Sequence, residues 1–212
     1  MMNRPVTPIR LYHHALSGHV HRVELFLSLL DLPFEKVTID VFKREQRSEA
    51  FLARNPFGQI PVIDDGELTL ADSNAILVYL AKRYDTSGRW LPDDAVGAAK
   101  VQRWLSVAAD QLANGPATVR FSALIGRPCE EGVVKQSKAL FELMDRELGA
   151  RPFLAAAMPT IADLALYAYT AHAPEGGISL VPFANVRAWV ARVEALPRFV
   201  GMQRSPVPAS AA

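Results

Sequence analysis

Asn55-Pro56-Phe57-Gly58-Gln59-Ile60-Pro61-Val62-Ile63, followed one hairpin later by Ala71-Asp72-Ser73-Asn74, is the stretch on which the fold turns. Pro61 opens a short apolar run, one of the few places where a strand tolerates proline. An X-Pro bond is cis at small cost. A cis bond here would turn the N–H and C=O of Ile60 outward, where an extended peptide pairs with them as an added strand. A trans proline in an ordinary loop is the plainer alternative. Asp72-Ser73 falls where the next helix begins, and free N–H groups with the positive end of the helix dipole favour an anion there. The Ser73 hydroxyl adds a donor for a carboxylate and Asp72 a partner for an ammonium, although simple capping uses the same residue types. One hairpin apart, the two features suit a ligand with a peptide middle and an amino-acid end.

Upstream, Ile9-Arg10-Leu11-Tyr12 and Phe34-Glu35-Lys36-Val37-Thr38-Ile39 read as strands. Between them Val20, Val23, Phe26, Leu27 and Leu30 recur at helical spacing, which predicts an amphipathic helix over 18–31 with Ser17 at its cap. Residues 48–54 predict a short helix, and 61–64 with 68–70 a hairpin across Asp65-Gly66. Ile76, Leu80 and Tyr84 mark a helix starting near Ser73. The order describes a small mixed sheet with helices packed on it. Residues 86–94, rich in Asp, Gly, Ser and Pro, read as a linker. Beyond it only helical patterns appear, over 95–125 with a kink at Asn114-Gly115-Pro116, then 130–148, 160–173 and 184–195. The expectation is an α/β domain over 1–85 and an all-α domain over 95–212, ending in a mobile tail over 203–212.

Half of the 212 residues are hydrophobic, enough for one large domain or two small ones with real cores. Lys and Arg number 23 against 22 Asp and Glu, so no basic field for nucleic acid is implied. The single cysteine, Cys129, excludes an internal disulfide and any Cys-x-x-Cys pair. No apolar run resembles a signal peptide or approaches a membrane span, so a cytoplasmic protein without membrane or nucleic-acid partners is expected. Four of the five histidines cluster at 13, 14, 19 and 21. His19 and His21, two apart on a helix, project from different faces, and no metal is expected. The Gly-x-Ser-x-Gly elbow of serine hydrolases is absent around Ser17.

Asn55-Pro56-x-Gly58-x-Ile60-Pro61-Val62-Ile63 with Leu70-x-Asp72-Ser73-x-Ala75-Ile76-x-x-Tyr79-Leu80 resembles the glutathione-binding half of cytosolic glutathione transferases. Thr160-Ile161-Ala162-Asp163-Leu164-Ala165 is similar to that family's capping box in its second domain, a hydroxyl cap with an acidic residue three on. The likeness spans nearly the whole chain. It implies a thioredoxin-like domain over 1–85, a linker over 86–94 and an all-helical domain over 95–212. Glutathione would be the co-substrate, without a metal. By the resemblance, the Ile60 backbone binds the cysteinyl unit beside a cis Pro61, and Asp72 and Ser73 hold the γ-glutamyl amino and carboxylate groups. Asp72 is shorter than the Glu or Gln usual there. Gln59 falls near the glycyl end or the tripeptide backbone, and Gln46 and Arg47 fall where theta-like members hold the glycyl carboxylate.

The loop after the first strand reads Ala15-Leu16-Ser17-Gly18-His19-Val20, with no cysteine where a thioredoxin-like site carries one, so the substrate must supply the thiol. Ser17 resembles the serine of theta-like and related bacterial transferases, whose hydroxyl would donate to the glutathione sulfur at a helix end that favours thiolate. Its alternative is a plain cap. Tyr12 is an aromatic rival placed within the strand, and His14 or His19 stands close enough in sequence to line the pocket. An acceptor pocket between the domains would draw on Trp104, Val107, Arg120, Phe121 and Tyr167, whose alternative is core packing. The family default is a homodimer, and Phe57 stands where some classes insert an aromatic residue into the partner. The resemblance thus implies conjugation of glutathione to hydrophobic electrophiles, as in detoxification. A disulfide or peroxide reductase, or a non-catalytic glutathione or ligand-binding protein, are the alternatives on the same fold.

Overall fold

In β1 (Ile9–His13), Ile9 and Leu11 are sealed while Arg10 is exposed, and the whole sheet is built outward from that strand. The computed structural model describes residues 4–206. β1 runs parallel to β2 (Phe34–Thr38) and antiparallel to β3 (Val62–Asp65), which pairs antiparallel with β4 (Leu68–Ala71), giving the order β2-β1-β3-β4. A parallel pair needs a crossover, and α1 (Gly18–Leu29) supplies it. Side chains alternate across the sheet. Leu11 and Ile63 face α1, while Tyr12 and Val62 pack on the other side with Ile39 and Phe51. Phe51 belongs to α2 (Glu49–Leu52), a single turn capped by Ser48 and preceded by a 3-10 turn at Glu45–Arg47.

The hairpin departs from expectation by one residue. Asp65 is still in the ladder opposite Leu68, so the two loop residues are Gly66 and Glu67, with Gly66 at φ +60°. A positive φ at the first loop position alone is what a type II′ turn requires. Asp65 is held in the strand from behind: its Oδ2 accepts from Tyr79 Oη at 2.8 Å and Tyr84 Oη at 2.5 Å, both on α3 (Ser73–Tyr84).

The helical half comprises α4 (Ala95–Ala109), α5 (Thr118–Leu124), α6 (Glu131–Ala150), α7 (Ile161–Ala171) and α8 (Ala184–Glu194). The expected kink is a π-helical turn at Ala113–Ala117. Pro116 lacks the N–H that an α-helix would need there. Gly115 leaves room for α6, since a Cβ would come within 3.0 Å of Ser137 Oγ. The Thr160–Asp163 capping box is present at the start of α7. Asp163 is sealed and accepts from Thr160 N at 2.8 Å, Leu154 N at 2.9 Å and Trp189 Nε1 at 2.9 Å, tying three segments to one carboxylate. Its own burial pushes that carboxyl's pKa up, and the three donors oppose the shift.

α7 is buried along nearly its whole length, packed against α1, α3, α4 and α8, so one continuous apolar core runs from the sheet through both halves. The C-terminal segment was expected to be mobile from residue 203. Of its described residues Ser205 is held, Oγ donating to Glu175 at 2.5 Å, while the stretch just before it lies along α1, Arg198 O accepting from Ser28 Oγ at 2.7 Å and Val200 O pairing with His21 Nε2 at 2.8 Å. Met202 is buried beneath it. Residues 207–212 lie outside the described residues. Among the described residues no helix is long and apolar enough to cross a membrane.

Candidate active site

Ser17 caps α1 with extended backbone, its Oγ accepting from Val20 N at 3.3 Å. That contact uses an oxygen lone pair and leaves the hydroxyl proton available to another acceptor. The preceding turn is fixed by His14, whose carbonyl accepts from Ser17 N at 3.0 Å and whose Nδ1 accepts from Leu16 N at 3.3 Å. Burial, then the neighbouring His13, lower the His14 pKa and favour the neutral ring that this acceptor role requires. Tyr12 is committed elsewhere. Its hydroxyl donates to Asp64 at 2.8 Å and accepts from Arg54 Nε at 2.7 Å. Ser17 opens on a cavity of about 370 Å³ shared with His13, His14, His21, Glu24, Lys36 and the terminal residues 201–203. Glu24 there pairs with both Lys36 and His13.

None of the residues expected to hold the tripeptide lines that cavity; they fall in two other places, the first being the loop before β3. Asn55 is buried and organises it, Nδ2 donating to Gln59 O at 2.8 Å and Oδ1 accepting from Phe57 N at 3.1 Å. Gly58 sits at φ +58°, and a Cβ there would meet Gln46 O at 2.8 Å and the Arg47 side chain at 2.9 Å. That approach brings Gln46 and Arg47 against the loop, with Arg47 Nη1 donating to Phe57 O at 3.1 Å. Gln46 Oε1 is buried there without a partner among the described residues. The Ile60–Pro61 peptide is cis, and the Ile60 backbone has no intramolecular hydrogen bond among the described residues. The Gln59 side chain is exposed.

In the second place Asp72 caps α3 from an unusual backbone, φ +72°, with Oδ1 accepting from Asn74 N and Ala75 N at 2.9 Å each. Non-glycine residues adopt such φ values rarely and mostly where surroundings hold them. Asp72 is exposed, and its Oδ2 has no partner among the described residues. Ser73 is buried and accepts from Arg22 Nη1 at 3.2 Å. Arg22 was not identified from sequence. It is sealed, its Nη1 also reaches Asn74 Oδ1 at 2.8 Å, and Nε and Nη2 have no partner among the described residues. Burial lowers its pKa to about 10, which still leaves it cationic at neutral pH. A buried cation behind Ser73 raises the potential where a carboxylate would sit. The signal for it was a charge one position before Val23 and four before Phe26, inside the apolar stripe of α1.

The residues expected to form an acceptor pocket do not line the Ser17 cavity. Trp104 is core, with Arg103 over its ring at 5.5 Å. Tyr167 is buried and donates to Glu194 at 2.8 Å. Val107 is half-buried against the core, and Phe121 is exposed. Arg120 is sealed, donating from Nε to Glu175 and from Nη1 to Leu16 O, at 2.7 Å each. His19 packs edge-on to Tyr169, and His14 lines the cavity. Phe57 is 76% exposed, and Cys129 is half-buried before α6. Among the described residues no group of three or more His, Cys, Asp or Glu is placed to hold a metal ion.

Comparison with known proteins places this architecture. The Glutathione S-transferase, N-terminal domain profile matches residues 7–82, and the Glutathione S-transferase, C-terminal domain profile matches residues 125–197. The chain is 32% identical over 205 residues to glutathione S-transferase 3 of Zea mays, with 92% of each chain covered. It is 34% identical over 165 residues to glutathione S-transferase theta-2B of Homo sapiens, covering 74% of this chain and 68% of that one. A glutathione S-transferase structure from Pseudomonas fluorescens superposes with a TM-score of 0.87 at 33% identity, over 92% of this chain and 99% of that one. With both domain profiles matched in order and full-length relatives above 30% identity, the chain belongs to the glutathione S-transferase family.

Proposed function

We propose that the protein binds glutathione, ionises its thiol beside Ser17 and transfers the sulfur to the electrophilic carbon of a hydrophobic acceptor. One observation carries the reading. Ser17 accepts the Val20 N–H and keeps its own proton at the N-terminus of α1, in a loop without cysteine. A thiolate placed there would take a hydrogen bond from the hydroxyl and interact favourably with the helix dipole. The thiol proton leaves to solvent, the sulfur forms the new bond to carbon, and the leaving group departs with the bonding pair.

In this reading the peptide middle of glutathione pairs with the Ile60 backbone and its glycyl end lies towards Gln59, Gln46 and Arg47. Its γ-glutamyl end meets Asp72 and Ser73, with Arg22 behind. Residues 1–85 form the glutathione-binding unit and 95–212 the acceptor side, joined by 86–94. A cytoplasmic homodimer is the assembly we propose, with the exposed Phe57 ring as its candidate anchor. The absence of cysteine from the loop disfavours a disulfide step on the protein itself. Ser17→Ala is expected to lower turnover of a chloronitroaromatic acceptor by about 100-fold, the scale of losing one donor aimed at developing charge. Unchanged turnover would remove Ser17 from the chemistry.

A further inference from the structure

Arg120 was expected at an acceptor pocket, and its actual partners suggest a different task. Its Nη1 donates at 2.7 Å to the carbonyl of Leu16, the residue immediately before Ser17. Its Nε donates at 2.7 Å to Glu175 Oε2, an oxygen that also accepts from Ser205 Oγ at 2.5 Å. The other oxygen, Oε1, pairs with His172 Nδ1 at 2.5 Å. Arg120, His172 and Glu175 are all at least 95% buried, at 2%, 5% and 5% exposure. The turn carrying Glu175 packs directly on α5, and Gly176 permits the approach, since a Cβ there would stand 2.9 Å from Arg120 N.

One guanidinium therefore joins the loop before α1 to the turn after α7, and the C-terminal segment reaches it through the Glu175 carboxylate. A backbone carbonyl held by a buried, charged donor has little freedom, because charge-assisted bonds are short and strong. Breaking a buried ion pair is correspondingly costly. Leu16 and Ser17 are adjacent, so a peptide fixed at Leu16 sets where the Ser17 hydroxyl stands.

We propose that Arg120 is a positioning residue for the Ser17 loop, and that the C-terminal segment completes it through Ser205 and Glu175. The inference rests on Ser17 as the donor to the glutathione sulfur, and it adds three residues outside the glutathione site, Arg120, Glu175 and Ser205, that set that donor's placement. Docking of the terminal segment and ionisation of the bound thiol are then linked. A contact that only held the fold together would change stability and leave the ionisation of bound thiol alone.

The test is a pH titration of the thiolate's ultraviolet absorbance in enzyme-bound glutathione, with steady-state kinetics alongside. Ser205→Ala removes one hydroxyl from a half-buried segment. It is expected to raise the apparent pKa of the bound thiol by about half a unit and to lower kcat/KM about threefold, with KM for glutathione unchanged. Ser205→Thr restores both. Arg120→Lys keeps a charge beside Glu175 but cannot also reach Leu16, and shifts the titration further; the Ser205 variants decide the question whether or not it folds. In a Ser17→Ala background, Ser205→Ala adds nothing, because the effect passes through Ser17. An unchanged titration in Ser205→Ala, with Ser17→Ala shifted, overturns the inference, and so does an equal Ser205→Ala shift in both backgrounds. No shift in Ser17→Ala itself removes the donor role, and this inference with it.

Discussion

At Ser17 the hydroxyl oxygen accepts from Val20 N while its proton stays unassigned, which makes one side chain both a cap and a donor. Ser73 has a similar double use, accepting from Arg22 while its own proton faces outward to a ligand's carboxylate in the proposed pose. His21 illustrates what burial does to a titratable group beside the site. Burial lowers its pKa to about 4, although Val200 O and the nearby Glu24 favour the charged ring; Lys36 and His172 oppose it. Its Nε2 meets Val200 O at 2.8 Å, and its buried Nδ1 has no partner among the described residues. An unfolded histidine takes its proton near pH 6.5 while the folded one refuses it until about 4. Its contribution to stability is therefore complete above the unfolded value and is lost as pH falls between the two. At about 1.4 kcal/mol per pH unit, that is on the order of 3 kcal/mol across the window. Urea unfolding at neutral pH and at about pH 5 should show His21→Gln losing about 2 kcal/mol less than the parent on acidification. Equal losses would mean that His21 titrates freely in the folded protein.

At the scale of elements, local signals in the sequence fared well wherever a single turn or cap decides the outcome. Ser17 and Thr160 cap their helices, and Pro116 sits in a break of the helix pattern. The hairpin was misplaced by a residue because the partners of Asp65, Tyr79 and Tyr84, lie a helix away. Arg22 went unrecognised because a helical repeat reports which face is apolar and not what a charge on that face touches. Asp163 shows how much one legible cap can carry. Replacing it by Ala leaves Thr160 N, Leu154 N and Trp189 Nε1 without an acceptor in a sealed site. Asp163→Ala is expected to destabilise the protein by about 3 kcal/mol or more. At this chain length that lowers the melting temperature by about 10 °C. A shift of only a degree or two would mean that the box is dispensable.

Across the whole molecule, the order of elements and the fold class were readable because each strand and helix carries its own period. What joins the halves was not. Asn74 Nδ2 bonds Leu105 O at 3.1 Å, Arg120 bonds Leu16 O, and the terminal segment lies along α1, all between residues far apart in the chain. The segment from residue 203 looked mobile by composition, yet Ser205 finds a buried carboxylate 30 positions away. The five expected acceptor residues are absent from the lining of the Ser17 cavity. Helix periodicity marks Trp104 and Tyr167 as inward-facing without saying whether inward means a cavity or a packed core. The backbone features of the candidate glutathione site, from Asn55 to Asn74, were legible because they lie close together in the chain, at tight turns such as Gly58 and Asp72.

The central claim is that Ser17 addresses the sulfur of a glutathione held between the Ile60 backbone and the start of α3. A crystal structure of the protein soaked with glutathione tests it directly. The expected result places the sulfur within hydrogen-bond reach of Ser17 Oγ, the cysteinyl backbone paired with Ile60 and the γ-glutamyl carboxylate at Ser73. A sulfur nearest another side chain, or a tripeptide bound away from Ile60 and Ser73, would contradict it.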